Sequence, residues 1–328
     1  MQRYSHRSLL WGLFTVLLVL MVLSANTGAL AFPISQLLSL SFDDPLMHIW
    51  LNIRLPRILL AVIVGMALAT SGAVMQGLFR NPLADSGLLG ISSGAGLLVG
   101  LSILFPTIFP PIMMLYGKMF AAFLGSLFIC FLIYLYSLHA ECNLAKMVLL
   151  GVAINAIIGA VMGCLSYVSD EAQLRQISLW SMGHLGKGSW ELVLVATSLI
   201  IPALLAILVL SHQLNILQLG DEDAHYLGIN VIRIKQYLLV LSAILIGTSV
   251  AVSGIIAFVG LVVPHMIRLR IGANHRVLLP ASALAGGCLL LSADTLARTV
   301  VAPTEIPVGL LTSLIGGPYF LWLILRHK

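Results

Sequence analysis

The sequence predicts an all-α membrane protein of about ten transmembrane helices, from its composition and from the distribution of its apolar residues. Of 328 residues, 60% are hydrophobic and 9% are charged, whereas soluble domains carry roughly 25% charged residues. The mean hydropathy is +1.07, and apolar windows long enough for a bilayer, about 20 residues, recur along the whole chain. We therefore expect residues 1–328 to form a single polytopic membrane domain.

The apolar windows give ten predicted spans. The first follows Arg3 and Arg7 and ends in the small residues GALA, so a cleaved signal peptide is its alternative interpretation; we favour a retained helix. The third and eighth are short and interrupted by glycine or proline, as is tolerated where protein neighbours satisfy the backbone. The spans are 9–30, 58–80, 88–105, 113–138, 145–168, 191–212, 235–253, 255–271, 278–298 and 306–326.

An even number of spans places both termini on one side, and the distribution of basic residues indicates which side. With cytoplasmic termini, most of the 17 basic residues lie inside. Those inside are Arg3, Arg7, Arg80, Lys146, Arg233, Lys235, Arg268, Arg270, Arg276, Arg326 and Lys328; those outside are Arg54, Arg57, Arg175, Lys187, Arg298 and, near the outer edge, Lys118. We predict that both termini are cytoplasmic.

The chain contains an internal repeat. At an offset of 182, Gly65 matches Gly247, Ser71-Gly72 matches Ser253-Gly254, and Pro82 matches Pro264. At an offset of 190, Leu88-Leu89 then match Leu278-Leu279, Ser92 matches Ser282, and Ala95-Gly96 match Ala285-Gly286. The copies begin at spans two and seven, so they enter the membrane from opposite sides, and spans 2–5 and 7–10 form an inverted repeat of the kind used for alternating access.

Several functions are excluded by missing motifs. The two GK dipeptides, at Lys118 and Lys187, lack the remainder of a phosphate-binding loop, so the chain should not hydrolyse ATP. No catalytic motif is present and we expect no metal site. The cysteines Cys130, Cys142, Cys164 and Cys288 lack metal-ligand spacing. Basic residues lie in short loops between apolar runs, which indicates membrane topology rather than nucleic-acid binding.

The longest hydrophilic internal loop, 212–235, contains the segment GDEDAHYLG. Acidic residues favour a helix N-terminus and glycine favours a C-terminus, so this segment predicts a short helix. It is either a solvated connector or a knob that fits a cytoplasmic partner.

Four strings resemble the FecCD family of bacterial ABC-importer permeases. They are LPRILLAVIVGMALATSGAVMQGLFRNPLADSGLLGISSGAG (55–96), VSGIIAFVGLVVPHMIRL (252–269), HRVLLPASALAGG (275–287) and IPVGLLTSLIGGPYFLWLIL (306–325). The resemblance implies a homodimer of ten-helix permease subunits in the bacterial inner membrane. It also implies two separate cytoplasmic ATP-binding subunits, a periplasmic substrate-binding protein, and ATP-driven alternating access for an iron chelate.

The resemblance implies a role for the three outer arginines. Arg54, Arg57 and Arg298 match the residues with which the family holds carboxylates of its binding protein, and such charge-assisted pairs orient docking. Two alternatives remain: snorkelling to lipid headgroups, and for Arg298 an i,i+4 pair with Asp294.

The resemblance also implies two cytoplasmic regions. The gate would include Asn81, Leu83, Cys142 and Asn143, although Cys142-Asn143 departs from the small hydroxyl residues of the cobalamin permease. The contact with the ATPase would be made by the predicted short helix, through Gly220, Asp221, Glu222, Ala224, Leu227 and Gly228.

Taken as a whole, the sequence most resembles the haem-permease branch of this family. The resemblance implies haem as the cargo, with a ferric siderophore second and cobalamin third. Haem would be a transported substrate and not a bound cofactor. His265 and His275 are possible haem contacts, but a structural role is the alternative for each. An ion-coupled secondary transporter, which also uses inverted repeats, is the competing class; it would need ionisable groups inside the membrane, where Asp294 is the clear candidate.

Overall fold

A computed structural model describes residues 2–28, 44–82, 84–106, 117–137, 144–186, 188–302 and 304–326. Helices and turns make up this part of the chain, with a π-helical turn at Trp50–Arg54 and a 3₁₀ turn at Ser86–Leu89. The α-helices are α1 Gln2–Asn26, α2 Pro45–Ile49, α3 Leu55–Leu78, α4 Ile91–Leu104, α5 Gly117–Ser137, α6 Leu144–Val168, α7 Glu171–Ser181, α8 Trp190–Val209, α9 Ser211–Leu217, α10 Asp221–Tyr226, α11 Val231–Ser253, α12 Val259–Ile271, α13 His275–Ala297 and α14 Val308–Arg326.

Each predicted span coincides with one of these helices, which confirms the all-α membrane fold. Seven helical stretches in the described residues are long and apolar enough to cross a bilayer. The predicted third and eighth spans are shorter than expected: α4 has 14 residues and α12 has 13. At 1.5 Å per residue each is roughly 20 Å long, less than the ~30 Å of a hydrocarbon core, so α4 and α12 are half-helices.

The two half-helices begin in the same way. Each is preceded by a residue in the left-handed region, Gly90 before α4 (φ 78°) and Phe258 before α12 (φ 67°). The hydroxyl of Ser126, midway along α5, donates to the carbonyl of Ile91 at 3.4 Å, so α4 starts inside the bundle. This correspondence is what an internal repeat requires.

The two copies of the repeat run in opposite directions. Asp221 bonds both Arg80, which follows the end of α3, and Lys235, in the second turn of α11. The end of α3 therefore lies beside the start of α11, and the two first helices are antiparallel. This arrangement confirms the predicted inverted repeat, and we call this part of the molecule the Asp221 end.

Packing between the copies corrects the residue alignment of the repeat. A Cβ on Gly65 of α3 would lie 2.3 Å from the carbonyl oxygen of Gly286 in α13, and a Cβ on Gly247 of α11 would lie 2.7 Å from the Cβ of Ser126 in α5. The offset of 182 between the first helices thus corresponds to equivalent contacts. The offset of 190 is wrong. It pairs Gly96, in the second helix of the first copy (α4), with Gly286, in the third helix of the second copy (α13). The counterpart of Gly286 in the first copy is Ser126 of α5.

The other end of the bundle is defined by Arg57, which contacts Asp294 and Glu305. We call it the Arg57 end. Helix α1 finishes there, since Arg298 bonds Ser24, and α14 begins there, just after Glu305. The far ends of α1 and α14 therefore both point towards the Asp221 end, as the prediction of termini on one side requires.

Candidate functional site

Five charged residues meet at the Arg57 end, and we call them the arginine cluster: Arg54, Arg57, Asp294, Arg298 and Glu305. Arg57 is the central residue. Its Nε donates to Asp294 Oδ1 and Oδ2 at 3.1 and 3.0 Å, and its Nη2 donates to Oδ1 at 2.8 Å. Its Nη1 donates to Glu305 Oε1 and Oε2 at 2.9 and 3.0 Å. One guanidinium thus holds two carboxylates on different edges.

Burial distinguishes the two carboxylates. The Asp294 side chain is fully buried, while the Glu305 side chain is 49% exposed. Arg54, Arg57 and Arg298 are 7%, 8% and 6% exposed. The structure therefore brings the three predicted docking arginines together, but it encloses them within the chain rather than extending them to solvent or lipid.

The other two arginines connect the cluster to α1. Arg54 Nη1 donates to the carbonyl of Ala25 at 2.8 Å, and Arg298 Nη2 donates to the carbonyl and hydroxyl of Ser24 at 2.7 and 2.5 Å. The i,i+4 pair of Arg298 with Asp294, one of the alternatives from the sequence, is present at 3.6 Å. These bonds tie the last turn of α1 to α3 and α13.

A cavity of about 360 Å³ lies beside the cluster. Its lining includes Arg57, Glu305, Lys118, Trp180 and His184. Three arginines face two carboxylates in the cluster, which leaves one positive charge in excess. The cavity wall itself holds two cations, Arg57 and Lys118, and two carboxylates, Asp294 and Glu305, so an anionic group from outside could reach a cation there only beside or in place of a carboxylate.

Glu305 was missed by the sequence reasoning. It is the only carboxylate that follows Asp294 in the sequence, and it precedes the last apolar span. A single acidic residue there, near outer arginines, is a signal that could have been used, because a charge in such a position needs a partner.

At the Asp221 end, the short helix predicted from GDEDAHYLG is present as α10, which begins at Asp221 after Gly220. Asp221 Oδ1 accepts from Arg80 Nη2 at 2.5 Å, and Oδ2 accepts from Lys235 Nζ at 2.5 Å. Burial acts to raise the pKa of Asp221, but hydrogen bonds and charges from Lys235 and Arg80 outweigh it, and the pKa lies below its ordinary value. Asp221 therefore connects α10 to the end of α3 and to the start of α11.

The outward surface of α10 is formed by other residues. Glu222 and Gly228 are exposed, and Tyr226 and Leu227 are 86% and 58% exposed. Ala224, which the resemblance also placed in the contact with the ATPase, is fully buried. The Tyr226-Leu227 pair is an apolar projection of the kind that fits a groove on a partner.

The predicted gate is only partly described. Asn81 is exposed and follows α3, and its backbone N–H donates to the carbonyl of Gln76 at 3.2 Å. Arg80, just before it, has a φ of 50°. Leu83, Cys142 and Asn143 lie outside the described residues, so the gate stays a prediction.

The two histidines considered as haem contacts lie in α12 and α13. His275 is fully buried; its Nδ1 lies 3.0 Å from Asn215 Oδ1 and 3.2 Å from Gln218 Nε2. Its backbone N–H also donates to Asn215 at 2.8 Å. This enclosure favours the structural alternative for His275. His265 is 8% exposed, and its role stays a prediction.

A second cavity, of about 160 Å³, lies where α4, α6 and α7 meet. Its lining includes Ser93, Asn155, Met162, Trp180 and Ile255. The hydroxyl of Ser93 bonds Asn155 Oδ1 at 2.5 Å, and the Asn155 amide donates to the carbonyl of Gly87 at 3.2 Å. The wall is mostly apolar, with the Ser93–Asn155 pair near the start of the half-helix and Ser181 on α7 as its polar groups.

Comparison with known proteins supplies the remaining information on function. The model of the FecCD transport family matches residues 16–326. The chain is 62% identical to the hemin transport system permease protein HmuU of Yersinia pestis, over 98% of this chain and 96% of that protein. It is 38% identical to the vitamin B12 import system permease protein BtuC of Klebsiella pneumoniae, over 100% and 96%. A solved ABC transporter of the metal-chelate type, in an inward-facing conformation, matches with a TM-score of 0.87 at 34% identity, covering 98% of this chain and 99% of that chain.

Proposed function

The chain belongs to the FecCD transport family, and from this membership we propose that it is the membrane permease of a binding-protein-dependent ABC importer that carries haem into the cytoplasm. The observation that supports haem is the 62% identity to a hemin permease along nearly the whole chain. Cobalamin is the second candidate, because vitamin B12 permeases are 38% identical over a similar length. A ferric siderophore is the third.

The permease would act as a homodimer, with the exposed face of α6 turned towards a second copy. Leu149, Ile157 and Tyr167 of this helix are 67%, 64% and 91% exposed, although the helix is apolar. Gly159 and Gly163 face open space, with no atom within 4 Å of an added Cβ. Small residues on an unpacked membrane helix favour close contact with another helix, and the second cavity opens beside this face.

The second cavity supports a transport role over tight binding. A mostly apolar wall with few polar groups would contact a large amphipathic cargo weakly, and weak contacts allow release. An ion-coupled carrier is less well supported, because Asp294, its candidate ion site, is enclosed by Arg57 and Arg298. Energy would instead come from two ATP-binding subunits seated against α10 on the cytoplasmic side.

The Arg57 end would face the periplasm, with both termini in the cytoplasm. The excess of basic residues in the loops predicted to be internal supports this orientation. The excess positive charge of the arginine cluster would then face the substrate-binding protein and attract its carboxylates. In this interpretation Arg57 acts from the cavity wall, while Arg54 and Arg298 add positive charge from behind it.

Growth of an iron-starved strain that lacks its own haem and siderophore permeases would test the cargo. The chain is supplied with its cognate ATPase and substrate-binding protein, and the same strain without the ATPase is the control. We expect growth on haem and none on a ferric siderophore, since the hemin permease is the more similar relative. Growth only on the siderophore, or rescue only of a cobalamin auxotroph, would contradict haem and retain the importer.

A further inference from the structure

The two carboxylates that hold Arg57 are not equivalent. Asp294 is fully buried and bonds the Nε and Nη2 edge of the guanidinium, so its removal would uncover a buried charge. Glu305 is half exposed and bonds the Nη1 atom alone. Of the two, only Glu305 can leave Arg57 for solvent at low cost, because an ion pair with an exposed partner contributes little.

Glu305 also stands where an incoming anion would reach Arg57. Both residues line the 360 Å³ cavity together with Asp294 and Lys118, so two cations and two carboxylates share its wall. The Nε and Nη2 atoms of Arg57 already donate to Asp294. A carboxylate that enters from outside therefore meets the Nη1 edge, which Glu305 occupies.

The backbone around Glu305 is anchored to its own chain, and its half-exposed side chain is held by Arg57. Glu305 lies in the link between α13 and α14 rather than in a helix. The following residue, Ile306, donates its N–H to the carbonyl of Ala297 at 3.0 Å, which anchors the link to α13. Release of the carboxylate thus requires side-chain rotation alone.

We propose that Glu305 occupies, in the undocked permease, the position on Arg57 that a carboxylate of the substrate-binding protein takes on docking. The inference rests on the proposed function and adds an exchange step to it: one carboxylate leaves Arg57 as another binds. The partner must present an acidic side chain able to enter the cavity, and Glu305 tunes how tightly the partner is held.

The test compares two variants that each remove one negative charge from the same end of the molecule. Glu305→Gln weakens the contact with Arg57 and keeps the shape of the side chain. Glu191→Gln is the matched control: Glu191 is exposed in the first turn of α8, and the neighbouring Trp190 bonds the carbonyl of Leu51 near the cluster. Because each variant removes one negative charge, the long-range electrostatic attraction of an acidic partner should increase equally in the two variants.

Docking of the cognate substrate-binding protein is measured by interferometry on the permease–ATPase complex in nanodiscs, at two salt concentrations. We expect Glu305→Gln to dock about two- to fivefold more tightly than Glu191→Gln, mainly through slower dissociation, because an exposed ion pair no longer competes. Equal affinity in the two variants, or weaker docking of Glu305→Gln, overturns the exchange.

A third variant separates this inference from the docking function on which it rests. Arg57→Ala with Asp294→Ala removes both members of the buried pair, so neither charge is left buried without the other. Arg298 loses its contact with Asp294 in this variant and keeps its bonds to Ser24. If this variant loses docking and Glu305→Gln shows no gain, the hypothesis of docking at Arg57 is retained and the exchange alone is refuted. Unchanged docking in the double variant would refute docking at Arg57 and the exchange with it.

Discussion

Substituting alanine for Gly72 tests whether the half-helix α12 packs directly on the backbone of α3. A Cβ at this position would lie 1.8 Å from the carbonyl oxygen of Gly260 in α12, and 2.5 Å from its carbonyl carbon. Both atoms belong to the backbone, so no side-chain rotation can relieve the overlap. The two helices must separate.

The required separation sets the magnitude of the effect. Side-chain Cβ atoms essentially never approach other heavy atoms within 3.0 Å, so α12 has to move by at least 1.2 Å. Such overpacking costs about 1–3 kcal/mol. The movement would also stretch the bond from Gln76 Nε2 to the carbonyl of Leu261, now 3.1 Å, beyond hydrogen-bonding range, for about 1 kcal/mol more. We expect Gly72→Ala to destabilise the protein by about 2–4 kcal/mol, the sum of these ranges.

Denaturant unfolding of the purified chain in detergent measures this difference. Gly12→Ala is the matched control, since Gly12 lies in α1 with no atom within 4 Å of an added Cβ, and it should be neutral or slightly stabilising. A Gly72→Ala protein as stable as the control, with its transport rate intact, would show that α12 does not contact α3 in this way. Loss of stability in both variants equally would point to a general effect of added methyl groups.

Three further outcomes follow from the charged residues and from α10. Asp294→Ala should cost about 3–5 kcal/mol in denaturant unfolding, because it leaves buried arginine charges uncompensated; a loss below 1 kcal/mol, as for an ordinary surface change, would contradict this. Since the pKa of Asp221 is lowered from 3.8, its ion pairs stabilise the fold above that pH and are lost as the pH falls through the lower folded value. Asp221→Asn should therefore melt below the native chain at pH 7, and the gap should close in acid; a gap that stays constant with pH would contradict this. Tyr226→Ala with Leu227→Ala should leave stability within about 0.5 kcal/mol and reduce copurification of the ATPase subunit; full copurification would place the contact elsewhere.

Much of the fold could be predicted from the sequence because the signals are local. Each membrane helix needs its own run of apolar residues to satisfy the bilayer, so the positions of the ten spans follow from hydropathy alone. The offset of 182 was also correct, since Gly65 and Gly247 lie in the first helix of each copy and each closely contacts the third helix of a copy. The offset of 190 failed, because small residues recur in every membrane helix and do not identify which helix they belong to.

The sites were predicted by residue type but not by environment. The sequence brought out Arg54, Arg57 and Arg298 as exceptions to the charge bias, and it identified the segment that forms α10. It could not show that the three arginines are enclosed, or that Asp221 bonds within its own chain. Burial and pairing depend on residues far apart in sequence.

The sequence by itself determined that this is a helical membrane protein with an inverted repeat, because apolar length and a recurring order of residues can be read along the chain. Its resemblance to a permease family came from four longer strings of the same sequence. Only the tertiary structure decided which charges from distant parts of the chain face one another. Arg57 and Glu305 are 248 residues apart, and no local pattern links them. They meet because α3 and α13 pack antiparallel through glycines, so that the start of one helix and the end of the other reach the same end of the bundle.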